Sequence, residues 1–311
     1  MTLAPAQTVP AFRSFDVSVR SVTRLSPHFQ RVTFTGEDLD LFGDTCLDQR
    51  IKIILPIPGA DSADPFEHLP RGEDWYARWR QLPEQHKNPL RTYTVRAVRQ
   101  HLNEVDVDFV CHGDTGVASA WVNRALPGDR CVLIGPDVRG ESDTLGVEWK
   151  PGQATEVLLA GDETALPAIS SILASLPPHA CGQAFIEVPT YDDALPVTPP
   201  EGVSVAWLPR DGASPETHHG YELVSAVTSH LDVGPQKTGS DGGFDGLDAI
   251  DNNAERLWET PAVEPGHGAF AWLAGEASAI TTLRRHLVKE RGWDRQRVAF
   301  MGYWRLGRSE L

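Results

Sequence analysis

The chain has 311 residues, 41% hydrophobic and 23% charged, which is apolar mass enough for folded cores and length enough for two domains. Lys and Arg number 28 against 43 Asp and Glu, a formal net charge of −15. That balance excludes a general grip on nucleic acid or an anionic membrane, so an anionic ligand has to meet a local basic patch. No run approaches the ~20 apolar residues of a membrane span. The first ten residues lack the basic start and apolar centre of an export signal, so a cytoplasmic monomer is expected.

Short alternating or β-branched runs separated by turn residues occupy 15–20, 30–35, 50–55, 91–98, 104–110 and 130–134. Their spacing predicts a six-stranded antiparallel barrel over residues 1–150. Residues 58–89, rich in Pro, Trp and charge, read as a long functional loop with a short helix over 75–82.

Beyond Lys150-Pro151-Gly152 the pattern becomes strand 156–160, helix 164–176, strands 183–188 and 203–208, helix 221–231, strand 269–274 and helix 276–290. Such alternation predicts a parallel sheet with helical crossovers, a Rossmann-like α/β domain over 151–311. The glycine- and acid-rich stretch 234–268 reads as a flexible surface insertion. Residues 284–311 reverse the sign of the chain, with 8 basic and 3 acidic side chains. A solvated helix face is expected for the stretch from Arg284 to Arg297.

The cysteines Cys46, Cys111, Cys131 and Cys181 are scattered, so neither a zinc knuckle nor an iron–sulfur cluster is read, and four buried thiols are expected. With no His-Glu-x-x-His and no Gly-x-Ser-x-Gly, no metal site is assigned and hydrolysis loses its usual signatures.

Two local patterns carry chemistry. In Arg91-Thr92-Tyr93-Thr94-Val95-Arg96, strand alternation sends Arg91, Tyr93 and Val95 to one face and Thr92, Thr94 and Arg96 to the other. An Arg can neutralise a phosphate, an aromatic ring can cover an isoalloxazine and a Thr hydroxyl can bond its edge, although a plain strand with charged ends reads the same way. About twenty residues on, His112-Gly113-Asp114-Thr115-Gly116-Val117-Ala118-Ser119 runs through glycines into an apolar helix. Glycines admit a close backbone approach, and helix-start amides point at a pyrophosphate; the competing reading is an ordinary helix capped by Ser119 or Thr115.

These blocks, with Gly161-Asp162-Glu163-Thr164-Ala165-Leu166-Pro167 and the terminal Gly302-Tyr303-Trp304-Arg305-x-Gly307, occur in one order. That order resembles the siderophore-interacting proteins of the ferredoxin–NADP reductase superfamily. The resemblance implies an FAD-binding barrel, a nucleotide-type α/β domain, and reduction of imported ferric siderophores with electrons from NADH, NADPH or a ferredoxin. It places FAD on Arg91, Tyr93, Thr94, Val95, His112, Asp114, Gly116, Val117, Ala118 and Ser119, with Thr164 on the nucleotide side. It also implies a basic triad of Lys52, Arg139 and Arg305 for the anionic chelate. Val117 stands where the family pattern more usually has Pro.

No side chain is assigned the role of acid, base or nucleophile, because the reaction is electron transfer. Tyr303 and Trp304 either pack over the flavin or cover a terminal strand. The alternatives that remain open are a non-catalytic ferric-siderophore carrier and a flavin reductase with another acceptor.

Overall fold

The computed structural model describes residues 10–59, 63–113, 116–140, 146–212, 219–233, 257–262 and 265–307. The chain divides after Val147 into two compact units.

In the first unit, β1 (Phe12–Ser26), β2 (Phe29–Thr35), β3 (Arg50–Ile54), β4 (Leu90–Arg99), β5 (Glu104–Val110) and β6 (Arg130–Pro136) close into a barrel ordered β1-β2-β5-β4-β3-β6. All six strands expected from alternation are present. Alternate side chains fill the interior, among them Phe15, Val32, Phe34, Ile51, Val95, Val107, Phe109 and Leu133. Period-2 burial of this kind is what fixes strand register. At Arg96 the β4–β5 register shifts by one residue; Val95 just before it fills the barrel core, and its neighbour Thr94 is buried as well.

Helix α1 (Trp75–Arg80) lies within the 58–89 connection, and this connection has a small core of its own. Phe66, Leu69 and Trp79 pack on Ile54, Leu90, Val132 and Ile134. Buried Asn88 ties it together, donating to the carbonyls of Leu55 and Pro65 while its own carbonyl accepts the Trp79 indole. A second short helix, α2 (Val117–Val122), packs on the barrel through Ala118, Val122 and Trp121.

The second unit holds β7 (Glu156–Gly161), α3 (Leu166–Ser175), β8 (Cys181–Val188), β9 (Val203–Pro209), α4 (Tyr221–Val233), β10 (Trp258–Glu259), β11 (Ala269–Glu276), α5 (Ala277–Arg284) and β12 (Val298–Trp304). The sheet order is β10-β12-β11-β7-β8-β9, parallel except for β10. The chain moves outward from β7 to β9 and then returns to the other side of β7, which sets the topological switch point between β7 and β11.

Three expectations need correction. The insertion read over 234–268 is not loose at its end: Leu257 is buried and residues 258–259 pair with β12, because this stretch supplies apolar cover for the sheet edge; residues 234–256 lie outside the described ones. The basic face from Arg284 to Arg297 is not simply solvated. Arg284 is buried against Glu259, which also takes Arg295, so opposite charge offsets the cost of burial. The four thiols are not all buried either, since Cys181 opens an exposed strand end and Cys46 is only partly covered.

Candidate functional site

Residues of the first motif gather on one side of the barrel. Antiparallel β3 and β4 set Ile53 opposite Arg91, Lys52 opposite Thr92, Ile51 opposite Tyr93 and Arg50 opposite Thr94. Lys52 Nζ donates to Thr92 Oγ1 at 2.9 Å. Tyr93 is half-buried, its ring 4.4 Å from that of Phe109, and Thr94 is 6% exposed. The Arg91 guanidinium donates to the Leu90 carbonyl at 2.8 Å and stays partly open.

Phe109 joins the two motifs, for Trp121 of α2 sits 6.1 Å from its ring and stacks at 6.3 Å on Phe34. Gln30 Nε2 donates to the Val122 carbonyl at 2.7 Å and Asn123 Nδ2 to the Gly113 carbonyl at 3.3 Å, which fixes both ends of the turn and helix.

At the start of α2, Gly116 takes φ −108° and ψ 145°, and among the described residues no side chain caps the helix. The capping role expected of Ser119 is therefore not seen, and Thr115, like Asp114, lies outside the described residues. Val117 occupies the first helical position, where the missing Pro would have stood. A Cβ built on Gly116 would meet only Ser119 Oγ at 3.9 Å, and one on Gly113, at φ +66°, would meet nothing within 4 Å. His112 is exposed beside this open turn. A helix start with glycine at the cap position, open space over two glycines among the described residues, an aromatic wall and an arginine fit a flavin dinucleotide.

Arg139 follows β6. It donates from its amide and Nε to Asp137 Oδ1 at 2.9 Å and from its outer nitrogen to Oδ2 at 2.7 Å, while Arg13 Nε reaches Oδ2 at 2.6 Å. Burial opposes ionisation of Asp137, but the two guanidinium partners outweigh it and hold the carboxyl well below the usual range.

In the second unit, the polar groups cluster at the C-terminal ends of the parallel strands, where open α/β sheets bind ligands. Thr164 donates its amide and hydroxyl to Asp162 Oδ1. Asp162 Oδ2 accepts the Glu276 amide at 2.8 Å and the Trp304 indole at 2.8 Å. Burial, followed by the charge of Glu163, pushes the Asp162 carboxyl up to about 7 against these donors. Glu163 forms a two-bond pair with Arg210, both 2.7 Å, and Arg210 also meets Glu187 at 3.1 Å. Burial disfavours the Glu163 anion, yet Arg210 brings its pKa below the ordinary value. His219 packs edge-on to Trp304 with ring centres 5.0 Å apart, and burial lowers its pKa.

Thr164 and Arg305 are thus linked through Asp162 and Trp304. Tyr303 and Trp304 are both half-buried, and Tyr303 stacks at 6.0 Å on Trp258. Asp162, Glu163, Glu187, Arg210 and His219 were not selected as site residues from the sequence. The signal available was a pair of acids closing an apolar strand, but its partners lie at distant positions.

Both units have known relatives. Residues 18–140 match the model of the siderophore-interacting FAD-binding domain, and residues 154–307 match that of siderophore-interacting protein. The ferric vibriobactin reductase ViuB of Vibrio cholerae is 31% identical over 288 residues, covering 92% of this chain and 87% of that protein. The NADPH-dependent ferric-chelate reductase of Escherichia coli is 27% identical, covering 93% and 92%. Among solved structures, a siderophore utilization protein from T. fusca superposes with a TM-score of 0.69 at 30% identity, covering 97% and 96%.

Proposed function

The chain belongs to the siderophore-interacting protein family, and from that premise we propose that it is an FAD-dependent reductase of ferric siderophores, acting in the cytoplasm with NADH or NADPH as donor. The observation that carries the reading is the start of α2, with glycine at its cap position, beside the Tyr93–Phe109 wall and inside the segment matched by the FAD-binding model.

On this reading Arg91 and the amides of Gly116, Val117, Ala118 and Ser119 hold the pyrophosphate, with His112 and Asp114 bordering it. Tyr93 and Thr94 form the wall against the ring system, which Val95 borders through its backbone. Bound FAD supplies the coupling of a two-electron donor to one-electron acceptors, so that one NAD(P)H reduces two ferric chelates and releases one proton. Thr164, at the turn after β7, borders the crevice for that donor. Lys52, Arg139 and Arg305 receive the anionic chelate, which a protein of charge −15 would otherwise repel. Fe(II) binds hard oxygen ligands less strongly than Fe(III), so reduction frees the metal. The names of the Vibrio and Escherichia relatives support a ferric chelate as acceptor, and the latter supports NADPH.

The test is the visible spectrum of the purified protein, followed by anaerobic mixing of the photoreduced protein with a ferric catecholate siderophore and an Fe(II)-specific chromophore. A yellow protein that releases FAD on denaturation and yields Fe(II) is expected. A colourless protein refutes the reading. Flavin that stays reduced in the presence of bound chelate points to a carrier, and oxidation only by other acceptors points to a different reductase.

A further inference from the structure

The C-terminal segment is anchored on both sides of Arg305. The residue before it, Trp304, donates its indole N–H to Asp162 at 2.8 Å. The residue after it, Leu306, donates its amide to Glu276 Oε1 at 3.2 Å, while Glu276 Oε2 caps α5 through the amides of Ser278 and Ala279. The two carboxylates are themselves joined, because Asp162 accepts the Glu276 amide across the switch point between β7 and β11.

Asp162 is matched to this task as an anion. Its oxygens accept two amides, an indole and a hydroxyl, and three of those four groups can only donate. Gly275 makes the placement possible: at φ +149° it has no side chain, and a Cβ there would stand 2.7 Å from Asp162 Oδ2. A turn-closing aspartate needs only the Thr164 bonds, so the second oxygen is left to fix β11 and the end of β12.

We propose that Asp162 is a positioning residue for Arg305, acting with Glu276 to fix the backbone on both sides of it and so present the guanidinium to the anionic chelate from a rigid root. This rests on Arg305 being a chelate-binding residue. Asp162 touches neither chelate nor cofactor in this role and acts only through Trp304 and the strand end.

The test uses the full-length flavin-loaded protein at pH 8. Affinity for a ferric siderophore is read by equilibrium dialysis with radioactive iron, which needs no turnover, and the Trp304 indole N–H is followed by ¹⁵N NMR, assigned by its loss in Trp304→Phe. Asp162→Asn turns an amide group toward donors, so the indole resonance should move and chelate affinity should fall about fivefold or more. Arg305→Ala should weaken affinity at least as much, and Asp162→Asn added to Arg305→Ala should cost no further affinity, since the clamp then has nothing to present.

Trp304→Phe removes the same hydrogen bond without disturbing the turn, and carries the test if Asp162→Asn does not fold. An unmoved indole resonance overturns the proposal, as does affinity loss that simply adds to that of Arg305→Ala. Chelate that binds and responds to these variants but is never reduced would sink the proposed reductase activity and leave the clamp standing.

Discussion

Arg139 lies against Asp137 with two side-chain hydrogen bonds of 2.9 and 2.7 Å, on a carboxylate with 0% side-chain exposure that Arg13 also grips. A cation expected to receive the chelate is therefore already matched by a fixed anion. Arg139→Ala should lower ferric-chelate affinity by less than about threefold. Equilibrium dialysis decides this, and a loss of about tenfold or more would contradict it. Asp137→Asn should lower the barrel's stability by about 1–3 kcal/mol, read from the urea midpoint.

Val117 begins α2 at the position where proline is best tolerated, and the preceding Gly116, at ψ 145°, already has the extended backbone that a following proline demands. Val117→Pro is expected to raise the stability of the flavin-free protein by about 0.4–1 kcal/mol through the unfolded chain, while removing one of the amides assigned to the pyrophosphate and so weakening FAD retention. A lower urea midpoint would show that the Val117 side chain matters more to the barrel than the backbone match does.

Thiol chemistry should single out Cys181. Burial, reinforced by Asp44, pushes the Cys46 thiol up to about 12, and burial raises those of Cys111 and Cys131. Cys181 is exposed. At pH 8 a disulfide reagent should find one fast-reacting thiol, which Cys181→Ser removes. Two or more fast equivalents would mean that the barrel opens readily.

The pH dependence of stability should have two limbs of opposite sign. Burial and Glu163 raise the Asp162 carboxyl to about 7, above the ~3.9 of an unfolded aspartate. Between about pH 4 and 7 the folded state therefore holds the extra proton, and this contribution is lost as pH rises through 7. For Asp106 and Glu259 burial opposes ionisation, but Arg99 and Arg284 respectively prevail and lower both values. Their contribution is present above the unfolded carboxylate range and disappears as pH falls through the folded values. Urea midpoints across pH 3–8 should show Asp162→Asn flattening the neutral limb and leaving the acid limb in place.

Much of the barrel was legible because one face of each strand is buried, so apolar residues recur every second position. Where that periodicity breaks, at the register shift beside Arg96, the sequence carried no signal, since a bulge is set by the partner strand. The short apolar helix Val117–Val122 that follows the glycines was readable too. The Asp162–Trp304 bond was not, for it joins positions 142 residues apart and depends on where β7 and β12 fall in the sheet. Arg284 was misread for a related reason: its anion, Glu259, sits in a stretch whose composition suggested nothing but solvent.

That stretch is secured independently at each end. Arg291 bonds the Leu231 carbonyl and Asp232 at the close of α4, and Arg284 and Arg295 hold Glu259 where the chain rejoins the sheet. Since each doubling of a connection's length costs only about 0.6 kcal/mol in closure entropy, these arginine moorings, and not the length of chain between them, decide where β10 meets the sheet edge.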